Sequence, residues 1–161
     1  MLERLPRNWL LRLRLNAYLP YLGAGVRIER ISPDFLAIDV RMKLHSGNAN
    51  YVGTHFGGSL YSMTDPHFML MVMENLGKDY IVWDKAARID FVAPGRGTVH
   101  ARFRLDAAEI ERLRTLAADG QPVLPEYAVE VTDEEGKLVA RVHKTLYVRR
   151  KKRARPVAQA S

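Results

Sequence analysis

From Leu36 to Leu44 the apolar residues Leu36, Ile38, Val40, Met42 and Leu44 alternate with Ala37, Asp39, Arg41 and Lys43. A period of two predicts a strand with one face buried and the other wet. Before it, Val26, Ile28 and Ile31 predict a first strand, bounded by the Gly23-Ala24-Gly25 and Ser32-Pro33-Asp34 turns. Tyr80 to Phe91 is strand-like, and Pro94-Gly95-Arg96-Gly97 turns the chain into Val99, Ala101, Phe103 and Leu105. Near the end, Tyr127, Val129 and Val131 face Leu138, Ala140, Val142, Leu146 and Val148 across Asp133-Glu134-Glu135-Gly136, a hairpin pattern.

Helical spacing appears in three places. Leu2, Leu5, Trp9, Leu10, Leu13 and Ala17 predict an amphipathic helix studded with Arg4, Arg7, Arg12 and Arg14, which Pro20 would stop. Packing on its own domain is the expectation for it, ahead of a membrane surface. Leu60, Met63, Phe68, Met69, Leu70, Met71, Val72, Met73 and Leu76 predict a long helix from about Gly57 to Leu76, apolar on most sides and so buried, with Gly77 as its C-cap. Pro66 should kink it just after Asp65. Asp106 and Glu109 have capping-box spacing ahead of Ile110, Leu113 and Leu116, and this short helix should end at Asp119-Gly120. Short connections between strands favour an antiparallel sheet, and the apolar helix requires that sheet to wrap it. The expected class is α+β.

With 161 residues the chain fits one domain, and its 47% hydrophobic and 27% charged content is that of a globular protein. The longest apolar run, Phe68 to Met73, is too short to span a bilayer. Arg12 and Arg14 interrupt the apolar start, so no signal peptide is read and a cytoplasmic protein is expected. The absence of cysteine excludes disulfides, thiolate nucleophiles and Cys-ligated metal. A net charge of +7 suggests an anionic partner. Much of it lies in the segment Arg149 to Arg155, which reads as a solvated tail in preference to a nucleic-acid site.

The candidate chemistry gathers in Gly53-Thr54-His55-Phe56-Gly57-Gly58-Ser59-Leu60-Tyr61-Ser62-Met63-Thr64-Asp65. Helix N-terminal amides favour an oxyanion, and glycines at Gly57 and Gly58 would let a carbonyl approach them. Both glycines would equally permit close helix–strand packing. Asp65 follows Gly58 by seven residues, so a straight helix would set it roughly 10 Å further along nearly the same face. A base must come within about 3 Å of its proton or act through one water. One reaction using both groups therefore needs a second copy of the chain. A carboxylate amid so much apolar surface suggests function, against a hydrogen-bonded place in an interface. Asn50 caps a turn or orients a reactant. His55 and His67 have no metal-site spacing, and a core or interface place is expected for them, with no metal. Ser59 and Ser62 lack the nucleophile-elbow pattern. Arg88 and Arg96 are candidates for binding phosphates or for plain solvation.

Taken with Asn50, the Gly57-Gly58 pair and Asp65, this order of elements resembles the hotdog-fold acyl-CoA thioesterases, particularly the phenylacetyl-CoA type, over roughly residues 25–148. The wording from Gly53 to Pro66 is similar to an uncharacterised bacterial branch of that superfamily. The family usually has histidine directly before the glycine pair, whereas here Phe56 intervenes and His55 stands one place earlier. The resemblance implies a five- to six-stranded antiparallel sheet around a long helix, with an N-terminal helix over residues 1–24 and a basic tail over 149–161. It implies an acyl-CoA or acyl-carrier thioester as substrate, polarised by the Gly57 amide beside Gly58. Asp65 of a partner chain would be base or nucleophile, with Asn50 and His55 near the chemistry. Arg88, Arg96, Tyr61 and Phe56 would contact the substrate, with no cofactor beyond coenzyme A as part of it. It also implies a homodimer or a dimer of dimers. The alternative is a non-catalytic acyl- or lipid-binding hotdog protein. A dehydratase or hydratase would need a paired His and acid, and the spacing of His55 and Asp65 does not suggest one.

Overall fold

A computed structural model of the chain describes residues 5–151. Its elements run α1 (Arg7–Asn16), α2 (Leu19–Ala24), β1 (Val26–Ile31), β2 (Ala37–Lys43), α3 (Gly57–Ser62), α4 (His67–Leu76), β3 (Tyr80–Phe91), β4 (Thr98–Arg104), α5 (Ala107–Leu116), β5 (Glu126–Asp133) and β6 (Leu138–Arg150). The six strands form one sheet in the order β1-β2-β4-β5-β6-β3, and each neighbouring pair is antiparallel.

The alternation read from the sequence decides which face of the sheet is buried. Ile38, Val40 and Met42 of β2 line up with Phe103, Ala101 and Val99 of β4, and all six are buried. Val129 and Val131 of β5 and Val142, Leu146 and Val148 of β6 continue this face. Against it lie Leu60, Phe68, Met71, Val72 and Leu76 from α3 and α4, so the sheet wraps the central helical segment. Each large side chain fully buried here contributes roughly 1.5–3 kcal/mol. In α5, Asp106 accepts from the Glu109 amide at 2.7 Å, one half of the expected box. The Glu109 carboxylate instead bonds Arg112 and Tyr127.

Two expected helices are each divided. The central one ends at Ser62 and restarts at His67. The Thr64 and Asp65 amides close the end of α3 on the Tyr61 and Ser62 carbonyls, and the Pro66 carbonyl accepts the first bond of α4 from Leu70. Pro66 has no N–H to carry the ladder through, so the bend expected after Asp65 is a complete break. The N-terminal helix stops at Asn16, and Pro20 stands in the first turn of α2 instead of ending a helix, a position where its missing N–H is harmless. Gly25, at φ 77°, caps α2. The last strand continues through Arg149 and Arg150, which pair with Ile81 and Tyr80, so these two lie within the sheet although the sequence reading put them in the tail. Leu2 and Arg4 of the N-terminal helix reading, and residues 152–161 of the basic tail, lie outside the described residues.

The outer edge at β1 is closed by α1. Asn8 donates to the Ile31 carbonyl at 2.8 Å and Arg12 to the Glu29 carbonyl at 2.8 Å, while Asn16 both donates to Ile28 and accepts from its amide. Unpaired edge groups are thereby satisfied by side chains. The opposite edge, at the twelve-residue β3, has β6 as its neighbour on one side and is the end of the sheet on the other.

Candidate active site

Phe56 enters α3 in an extended conformation, so Gly57 and Gly58 supply the first helical amides, which precede any intrahelical acceptor. Gly57 lines a cavity of about 360 Å³ together with Asn50, His55, Leu60, Phe91 and Pro94. Both glycines sit under aromatic rings. A Cβ on Gly57 would come within 2.9 Å of the Phe91 ring, and one on Gly58 within 2.4 Å of Phe56. Close packing is therefore part of why both positions are glycine. Phe56 and Phe91 are themselves exposed.

Asn50 lines the same cavity, yet its side chain is engaged in its own loop. Nδ2 donates to Thr54 Oγ1 at 2.8 Å and to the His55 carbonyl at 3.3 Å, while Oδ1 accepts from the Val52 and Thr54 amides. Both N–H groups and both lone-pair directions are used, which is the turn-capping role. His55 is buried, with its Nε2 3.1 Å from the Gly97 carbonyl, and burial lowers its pKa below the ordinary histidine value. It is a neutral ring that ties the loop to the turn after β3.

Asp65 is not part of this cavity lining. It stands in the break between α3 and α4, where Lys144 of β6 donates to its Oδ1 at 2.5 Å. The Lys144 side chain is completely buried, whereas that of Asp65 remains 43% exposed. Lys144 Nζ also lies 3.1 Å from Asp84 Oδ1 of β3 and 3.3 Å from the Tyr61 hydroxyl, and stands over the Tyr61 ring. That contact with Asp84 is an ion pair by distance but lacks hydrogen-bond alignment. Burial alone would lower the Lys144 pKa; the hydrogen bond and charge of Asp65, and then the charge of Asp84, outweigh it and raise the value. Burial raises the Asp84 pKa, Lys144 opposes that, and Asp65 adds to it. One ammonium thus serves two carboxylates. Below them, Tyr21 donates to the Asp65 carbonyl and lies 3.3 Å from His67 Nε2. Burial pushes the His67 ring down to about 4 and the Tyr21 phenol up.

The structure therefore divides the predicted site residues into two groups. Asn50, His55 and Gly57 share the cavity, with Gly58 and Phe56 packed beside Gly57. Asp65 and Tyr61 share Lys144. Arg96 is exposed, in the turn beside the cavity residue Gly95, with a long 3.5 Å bond to the Gly53 carbonyl. Arg88 is exposed on β3 and paired with Asp90, away from the cavity lining. Lys144, Asp84 and Tyr21 were not read from the sequence. Lys144 left one signal, since it occupies the buried phase of β6 between Val142 and Leu146, where a lysine breaks the apolar alternation. Among the described residues no group of His, Cys, Asp and Glu is placed to hold a metal ion.

A family model described as "Domain of unknown function (DUF4442)" matches residues 7–148. Solved structures share the fold. A Pseudomonas aeruginosa protein described as of unknown function, "probable thioesterase", is 23% identical with a TM-score of 0.79, over 89% of this chain and 95% of that one. A protein of unknown function from Chlorobaculum tepidum is 16% identical with a TM-score of 0.70, over 89% and 94%. A thioesterase from Haemophilus influenzae is 18% identical with a TM-score of 0.63, over 87% and 88%. No protein of curated function matches the chain.

Proposed function

The chain belongs to the family described as Domain of unknown function (DUF4442) and has the hotdog fold of thioesterase-like proteins, and from that premise we propose that it hydrolyses an acyl thioester. The observation that carries this reading is Asp65. Its Oδ1 is fixed by Lys144, its side chain is still open to a reactant, and Gly57, the first residue of α3, lines a cavity elsewhere in the same chain. A second copy brings the two together. The long β3 edge, with Trp83 and Phe91 exposed on it, suits antiparallel pairing with its own copy. Such pairing sets the Phe91 end of one β3, which lines the cavity, alongside the start of the other, where Asp84 stands with Lys144 and Asp65.

In this site the thioester carbonyl accepts from the Gly57 amide, and Asp65 of the partner takes a proton from water as the oxygen attacks the carbonyl carbon. Collapse of the tetrahedral intermediate breaks the C–S bond, and the thiolate takes up the proton, releasing acid and thiol. Direct attack by Asp65, giving an anhydride that water opens, uses the same groups. Lys144 is a positioning residue, since it fixes the carboxylate without touching the thioester. The substrate is an acyl-CoA or acyl-carrier thioester, with Arg96 beside the cavity as the better placed of the two phosphate candidates. No cofactor is needed, and the reaction belongs in the cytoplasm.

A non-catalytic acyl-binding role is favoured by one observation: Asp65 Oδ1 is already engaged by the Lys144 ammonium and is not free to meet a reactant. Hydrolysis of short, long and aromatic acyl-CoAs, followed by thiol release for the native protein and Asp65→Asn, separates the two. Turnover lost in the variant, with mass and fold kept, establishes the thioesterase. Saturable binding with no turnover by either protein replaces it with the binding role.

A further inference from the structure

Helix α1 faces the domain with its more polar side. Asn8, Leu11, Arg12, Leu15 and Asn16 share one face at helical spacing. Leu11 and Leu15 pack on the core while Asn8, Arg12 and Asn16 bond the β1 edge. Holding that face inward turns Trp9, Leu10, Leu13 and Ala17 outward. Leu13 is 43% exposed, Trp9 38%, and Leu5, just ahead of the helix, 49%. No residue of α1 is buried. Tyr18, Leu19 and Leu22 follow, all exposed. A surface helix ordinarily turns its apolar stripe to the core, so an outward stripe of this kind marks a surface that meets something.

Charge selects the partner. Arg7 and Arg14 are exposed beside the stripe, Arg12 lies on the other flank, and α1 contains no Asp or Glu. Arg7 also pairs with Glu74 of α4. Any pairing of the stripe with its own copy would set arginines against arginines. A membrane surface with anionic headgroups meets both features at once, since Trp and Leu enter the acyl boundary while arginines reach phosphate. We propose that α1 is an interfacial anchor that lays Trp9, Leu10 and Leu13 into a membrane surface containing anionic lipid, with Arg7 and Arg14 at the headgroups. The anchor holds whether or not the protein hydrolyses thioesters, because none of its residues belongs to the cavity or to the Asp65 cluster.

The test is co-sedimentation of the full chain with phosphatidylcholine vesicles, with and without about 30 mol% phosphatidylglycerol, at low and high salt. The native protein is expected to pellet with the anionic vesicles at low salt and to be released by salt or by neutral lipid. Leu13→Glu should bind at least roughly tenfold more weakly, with unchanged circular dichroism and oligomer mass, because it puts a charge where apolar surface enters the lipid. Native protein that stays in the supernatant overturns the proposal. So does a Leu13→Glu variant that binds like the native chain, which moves lipid binding to another basic segment. A variant with altered oligomer mass also overturns it and assigns the face to contact between copies.

Discussion

Replacing Lys144 by methionine removes the one cation between two carboxylates while keeping an unbranched side chain in the same space. Breaking a buried ion pair from one side destabilises by about 3–5 kcal/mol, because the remaining charge is left without a partner. Asp84, whose side chain is 21% exposed, bears most of this loss; Asp65, at 43% exposure, recovers water and adds less than about 1 kcal/mol. The expected loss is therefore near the lower limit, about 3 kcal/mol, or roughly 6–12 °C in Tm. The sign with pH follows from Asp84. Its folded pKa is already above the ordinary value through burial, and losing Lys144 removes the influence that lowers it. A carboxyl raised in the fold disfavours the folded state when ionised, and protonation relieves this as pH falls. The destabilisation should be full at pH 7 and shrink towards pH 4, near the unfolded value of about 3.9. In an Asp65→Asn/Asp84→Asn background the fully buried Lys144 is itself without a carboxylate partner, so Lys144→Met should cost nothing there and should instead stabilise, since it removes the unpaired charge. The assay is urea unfolding by circular dichroism at fixed protein concentration across pH 4–8. A Lys144→Met loss below 1 kcal/mol at pH 7, or an equal loss in both backgrounds, would refute the ion-pair account.

His67, fully buried and lowered from 6.5 to about 4, binds its proton in the unfolded chain first. Stability should fall by roughly 3 kcal/mol as pH drops from 6.5 to 4, and His67→Gln should flatten that slope in the same unfolding assay. In Gly57→Ala the new Cβ meets the exposed Phe91 ring, which can swing aside, so a Tm change under about 3 °C is expected beside a thiol-release rate at least roughly tenfold lower. Equal loss of Tm and rate would make Gly57 a packing residue only. Asn16→Ala removes two bonds to Ile28 of the β1 edge and should cost about 1–3 kcal/mol, read as faster amide exchange at Ile28.

The sequence by itself determined the order of the strands and the buried face of β1, β2, β4, β5 and β6, because alternation along a strand marks the side that can be buried. Val40 and Met42 inside and Arg41 outside needed no coordinates. It also located the glycine pair at the start of a helix and the special place of Asp65 beside Pro66. Only the tertiary structure decided how those pieces meet. Lys144 is 79 residues from Asp65, and nothing local couples them; the register of β6 on β3 and the break before α4 do. The Asp84 contact follows from the same register, since Asp84 and Leu146 are partners across it. Asn50 was legible as a turn cap or a site residue, and four hydrogen bonds within its loop gave the cap. The facing of α1 was the least legible. Its sequence contains an apolar stripe, but the unpaired carbonyls of β1 took its asparagines instead, and the stripe was turned to the outside. Periodicity reports what a segment could bury, while the hydrogen-bonding demand of a sheet edge, set by distant parts of the chain, decides what it does bury.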